Sequence, residues 1–138
     1  MAPALFLLLF FALFPSIDLI GMGLSYCSCV SLNDLQLREA CKLPKSLATD
    51  PKGPIYVTVP NNWRSTLVGG IGSTIQDPIT DVSYDPGKGA IYVIVSTSVV
   101  VKPCFMIPFL PGVPGLGAPF TCNITHSRVL ENPVFAAE

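Results

Sequence analysis

Histidine is nearly absent from this chain: among 138 residues there is one, His126. It falls near the carboxy terminus, in a stretch that reads as an exposed tail, and the sequence places no carboxylate to orient it. Histidine-based catalysis therefore has no visible basis, and no enzyme and no cofactor are expected. Charge is scarce as well, at 12% of residues with a formal net charge of −1. Such a balance leaves no electrostatic footprint for nucleic acid or for an anionic membrane. The cluster Gly69-Gly70-Ile71-Gly72-Ser73-Thr74 lacks the lysine and the strand-loop-helix setting of a phosphate-binding loop, so it reads as a flexible turn. Asp77, Asp81 and Asp85, with Tyr84 and Lys88 among them, are read as surface turn chemistry.

No lysine or arginine precedes the first apolar run, Ala4 to Phe14, which Pro15 closes. That run is shorter than the roughly 20 residues a membrane span needs. It reads as a signal peptide over residues 1–23, cleaved between positions 23 and 26, and implies a secreted, extracellular protein. The remainder, residues 24–138, is a single domain's worth of chain. With Asp18 removed, its eight basic residues face eight acidic ones.

Cysteine is present in an odd number: Cys27, Cys29, Cys41, Cys104 and Cys122. In an oxidising compartment at most two internal bridges can form, and one thiol stays free or links two chains. Cys27 and Cys29, one residue apart, cannot easily bond each other. Each must find a distant partner. A thiolate metal site from Cys27, Cys29 and Cys41 is disfavoured by secretory oxidation, so no metal is expected. The sequon Asn123-Ile124-Thr125 makes Asn123 a glycosylation candidate.

Along the chain, Leu24 to Val30 is expected to be extended, and Ser31 caps a short helix ending near Cys41, because Pro44 forbids its continuation. Lys42 to Pro54 reads as loop. Ile55 to Val59 predicts a strand, as does Asp81 to Tyr84, and Asp85 to Gly89 a turn. Ala90 to Lys102 is the longest β-forming stretch, and Ser96-Thr97-Ser98 is expected to break it into a hairpin or sharp bend. Residues 103–119 hold five prolines and three glycines. Phe105, Met106, Ile107, Phe109 and Leu110 within them are expected to pack as a lid. The fold class predicted is mostly β: a small antiparallel OB-like barrel with a short N-terminal helix, stabilised by disulfides.

The opening resembles a known family. Cys27-Ser28-Cys29 after a signal peptide, followed by Arg38-Glu39-Ala40-Cys41, is similar to the start of tissue inhibitors of metalloproteinases, which carry a netrin-like module. Val82 to Ile94 resembles that family's strand, glycine-lysine turn and strand, and Cys104-Phe105-Met106-Ile107-Pro108 its apolar cysteine-proline segment. The resemblance implies bridges from Cys29 to Cys104 and from Cys41 to Cys122. Thr80 stands where the family has the partner of Cys27, which leaves Cys27 free or intermolecular. The family's carboxy-terminal domain has no counterpart here. The function expected is a secreted interaction or structural domain whose partner is an extracellular protein. In its sharper form the chain would inhibit a zinc metalloproteinase, with Cys27 chelating the protease zinc and Ser28 entering its specificity pocket.

Overall fold

The computed structural model describes residues 2–70, 77–105, 107 and 110–137. Its first element is one long helix, α1, from Ala2 to Ala40. Leucine and alanine, which lose little freedom in a helix, dominate its first turns. Pro15 lies inside α1 and removes one backbone bond without ending it. Beyond Ala40 the Cys41 N–H still donates to Leu37 O at 3.1 Å, and Pro44 bars further turns. Three short helices come next, α2 (Lys45–Ala48), α3 (Thr58–Ser65) and α4 (Leu67–Gly70).

The strands β1 (Ile79–Pro86), β2 (Ile91–Val101) and β3 (Phe120–Val129) form one antiparallel sheet in the order β1-β2-β3. A 3-10 turn at Pro133–Ala136 closes the described chain. Register opposes Thr80 to Thr97 across the first pair, and Thr97 to Ile124, Val99 to Cys122 and Val95 to His126 across the second. In β2 burial alternates strictly: Val93, Val95, Thr97, Val99 and Val101 face inward. Each valine so buried contributes roughly 2 kcal/mol. The second half of α1 covers this face and creates two apolar clusters. One joins Leu37, Ala40, Cys41, Ile55, Val82, Val93, Val95 and Leu130; the other joins Cys29, Val99, Val101, Cys122 and Ile124. Thr97 sits on β2 between them.

The predicted OB-like barrel is overturned. Among the described residues helix outweighs strand, and the three strands form an open sheet. The physical reason is α1: a helix laid across the inward face of β2 buries the valines that a barrel would have enclosed. The N-terminal helix is accordingly long, and Leu24 to Val30 is helical rather than extended. Ile55 to Val59 is no strand either; it turns and enters α3 at Thr58, with the Val59 N–H bonded to Pro54 O at 2.8 Å. Nor do Ser96-Thr97-Ser98 break β2. Thr97 turns inward to polar partners, and Ser96 Oγ meets Thr125 Oγ1 at 2.9 Å on the outer face. Phe120 to Val129, which holds His126 of the expected exposed tail, is the edge strand β3. Residues 71–74 of the glycine turn lie outside the described residues, as do Met106 and Phe109 of the expected lid.

The described part of 103–119 folds on itself, with Ile107 N–H donating to Leu116 O at 3.1 Å and Gly115 N–H to Ala118 O at 2.7 Å. It packs on α1 rather than over a barrel. The Phe105 and Phe14 rings meet edge to face at 5.2 Å, and the Phe105 N–H donates to Asp18 Oδ1 at 2.9 Å. Two glycines permit the approach. A Cβ at Gly21 would stand 3.1 Å from Cys104 Sγ, while one at Gly115, whose φ is +84°, would run into Met22 Sδ.

Candidate functional site at the helix–sheet junction

Between the two apolar clusters α1 presents amides instead of hydrocarbon. Asn33 and Gln36 are both fully buried, one turn apart, directly against Thr97. Asn33 Nδ2 reaches Val95 O and Thr97 Oγ1 at 2.9 Å each, with Ile124 O at 3.3 Å. Main-chain carbonyls only accept, so the group facing them must be the NH2. Asn33 Oδ1 then faces His126 Nδ1 at 2.9 Å, and that nitrogen must be the donor.

The same reasoning orients the rest. Thr97 Oγ1 donates to Gln36 Oε1 at 2.8 Å, and Gln36 Nε2 donates to Thr80 Oγ1 at 2.8 Å and Ile55 O at 3.0 Å. One directional chain runs from His126 through Asn33, Thr97 and Gln36 to Thr80. It ties all three strands to α1, and its amides and the Thr97 hydroxyl are satisfied, which is the condition under which a buried polar network specifies a unique packing. In the neutral ring of His126 the proton sits on Nδ1 and Nε2 carries the lone pair. Amides do not relay protons readily, so the arrangement serves as a register lock between helix and sheet rather than a proton path.

One helical turn toward the amino terminus, two thiols meet. Cys29 is fully buried and Cys122 nearly so, and as free thiols they share one apolar cluster. Burial first, and then the neighbouring Cys122, push the Cys29 thiol up to about 12. Burial raises Cys122 too, with its neighbour Cys29 opposing. At the other end of the core, burial raises Cys41, with Arg128 opposing and Glu131 adding; burial also raises Tyr84 and Tyr56. Lys45 Nζ lies 5.7 Å from the centre of the Tyr84 ring.

The residues singled out by sequence are dispersed. Cys27 is exposed within α1, so its backbone N–H and C=O belong to the helical ladder. They become available to a protease zinc only in a chain opened immediately before Cys27. Ser28 is buried rather than presented outward. Cys104 is exposed and lies against Gly21, two turns or about 12 Å along α1 from Cys29. Cys41 lies about 18 Å along the helix axis from Cys29, and therefore from Cys122. The structure brings together Cys29 and Cys122. It does not bring Cys29 to Cys104 or Cys41 to Cys122. Asn123 is exposed on β3. Among the described residues no group of three histidine, cysteine or acidic side chains could hold a metal ion.

Sequence reasoning missed Asn33, Gln36, Thr97 and the placement of His126. A signal existed: Ser25, Cys29, Leu32, Asn33, Gln36 and Ala40 recur at helical spacing, one face that mixes apolar and polar residues. Hollows also open on the surface of the described residues. A groove of about 510 Å3 between α1 and α3 is lined by Leu35, Glu39, Val59, Asn62 and Trp63. A shallower one of about 300 Å3 lies along the sheet, where Asp81, Ser96, Ser98, Asn123 and Thr125 contribute. No protein-family model, curated protein or solved structure matches the chain.

Proposed function

We propose that this chain is an interaction module of the secretory route, held at the membrane by a first helix that is retained rather than removed. The observation that carries the reading is the docking of the 103–119 segment on α1. Asp18 is 1% exposed and accepts the Phe105 N–H, while Phe14, Gly21 and Met22 each touch the same segment. A leader destined for removal has no reason to supply a buried carboxylate to the domain behind it. Ahead of this contact, Leu5 to Leu13 project with exposed apolar side chains on every face, and α1 is long and apolar enough to cross a membrane. The exposed stretch from Pro3 to Leu13 rises about 16 Å, half of a hydrocarbon core, which sets the docked segment near the headgroups.

The surface turned away from α1 mixes Asp81, Ser83, Ser96, Ser98, Asn123 and Thr125 with exposed Ile79, Tyr92 and Val129, and is offered to an extracellular protein partner. Asn123 on this face reports orientation, since glycosylation occurs only on the lumenal side. The test is expression of the full chain with a carboxy-terminal tag, then alkaline extraction of membranes, amino-terminal sequencing and glycosidase treatment. The expected result is a membrane-retained, glycosidase-sensitive protein that begins upstream of Phe14. Soluble protein in the medium beginning anywhere from Leu24 to Cys27 would overturn retention. An unglycosylated chain whose domain is accessible from the cytosol would overturn the route.

A further inference from the structure

We infer that Cys29 and Cys122 are a disulfide-forming pair, a covalent staple between α1 and β3. Three observations on geometry converge. Both side chains lie in the same apolar cluster, with Val99, Val101 and Ile124. Register sets Cys122 opposite Val99, and Val99 is an inward position of β2, so Cys122 faces α1 from the neighbouring strand. None of the other cysteines shares that cluster: Cys27 and Cys104 are exposed, and Cys41 stands at the far end of the core.

The chemistry needs a disulfide oxidant, for which oxidised glutathione is the simplest class. One thiolate of the pair attacks one sulfur of that disulfide, forming a mixed disulfide and releasing one glutathione thiolate. Its partner, once deprotonated, attacks the protein sulfur of that mixed disulfide, forms the internal bond and releases the second. Two protein thiols lose two electrons, one small disulfide gains them, and the two protons end on the released thiols. Because burial disfavours both thiolates in the folded chain, exchange proceeds while α1 is docking on the sheet, and the finished bond is then shielded from reductant.

The pairing does not rest on membrane retention, and the test is independent of it. The reduced, denatured full chain is refolded in detergent with a glutathione mixture, remaining thiols are alkylated, and the unreduced protein is digested for peptide mapping. The expected outcome is loss of two hydrogens in mass and a peptide joining Cys29 to Cys122. A Cys29–Cys104 or Cys41–Cys122 peptide, or alkylation of both Cys29 and Cys122, would overturn it. A double variant, Cys29→Ala with Cys122→Ala, should lose the linked peptide and gain no new one. A new bridge in that variant, appearing where the wild type also shows no Cys29–Cys122 peptide, would assign the oxidation to other cysteines.

Discussion

The two halves of α1 reverse the ordinary relation between polarity and burial. From Leu5 to Leu13 the helix is leucine and phenylalanine but for Ala12, and these large side chains are exposed; from Ser25 to Ala40 it carries Ser25, Ser28, Asn33 and Gln36, and these are buried. The difference lies in what each half meets. Among the described residues the first half keeps most of its apolar surface exposed, the kind of surface that marks an interaction site. The second half meets a sheet whose centre offers Thr97, Thr80 and the Val95 and Ile124 carbonyls, and amides suit those acceptors better than hydrocarbon does. Burial here depends on the partner, not on the hydropathy of the residue.

The largest effect expected from breaking this contrast is at Asn33. Replacing it by alanine removes the donor serving Val95 O and Thr97 and the acceptor serving His126, so several groups lose partners in the same buried place. Asn33→Ala should destabilise by about 3 kcal/mol, measured by urea unfolding in detergent. Leu8→Ala, at a position 70% exposed, should shift the same curve by no more than about 0.5 kcal/mol. Equal losses at the two positions would show that the polar chain is not what holds helix to sheet.

Next in size is the staple. A bridge between Cys29 and Cys122 closes most of the chain into one loop, for which the chain-entropy model gives about 4 kcal/mol before native strain is subtracted. It also removes two titrating groups, which supplies a second readout. In the reduced protein the Cys29 thiol is raised from 9.0 to about 12. A raised folded value means stability is intact below the unfolded value and is lost as pH climbs toward the folded one. Reduced protein should therefore lose stability between about pH 9 and 12, and the oxidised form should lose less. The raised Tyr56 and Tyr84 hydroxyls titrate in both forms, so the difference between the two curves isolates the cysteines. Parallel alkaline unfolding curves would rule the bridge out as the source of the difference.

The same contrast decides how much of the molecule was legible in the sequence. The middle of β1 could be read from Asp81 to Tyr84, and the β-forming character of Ile91 to Val95 and Val99 to Val101 from their β-branched runs, but not that Ser96-Thr97-Ser98 joins those two runs into one strand. The end of α1 could be read from Pro44. The rest of α1 could not, since a helix whose buried face is built of Asn33, Gln36, Ser28 and Cys29 shows no apolar stripe. Its first half, apolar on every side, reads as a leader. β3 escaped for a related reason: Asn123, Thr125, Ser127 and Arg128 are exposed on an edge, and only Cys122 and Ile124 are buried. His126 read as a tail residue because its partner, Asn33, is 93 positions away. The odd cysteine count was visible at once, but which sulfurs meet depends on how α1 docks, and no spacing rule carries that information.

A smaller effect should come from Asp18, where the two halves of α1 join. Asp18→Ala removes the acceptor of the Phe105 N–H, a single bond, and should cost about 1 kcal/mol. Its signature is local. Hydrogen exchange at the Phe105 amide should accelerate, while amides of β2 keep their protection, because the polar chain centred on Thr97 lies far along the helix. If the Phe105 amide exchanges no faster, the docked segment is held by apolar contact alone, and the carboxylate gives no reason for retaining the first helix. Leu8→Asp together with Leu9→Asp should leave the stability of the folded domain within about 0.5 kcal/mol, since both side chains are exposed. The same variant should move the protein from the membrane pellet to the supernatant on alkaline extraction, because each charge at the centre of an apolar helix costs roughly 3 kcal/mol in a bilayer. A double variant that stays in the pellet would mean that the exposed half of α1 is covered by protein rather than lipid, and the contrast between the two halves would then concern which partner each meets, not whether one is present.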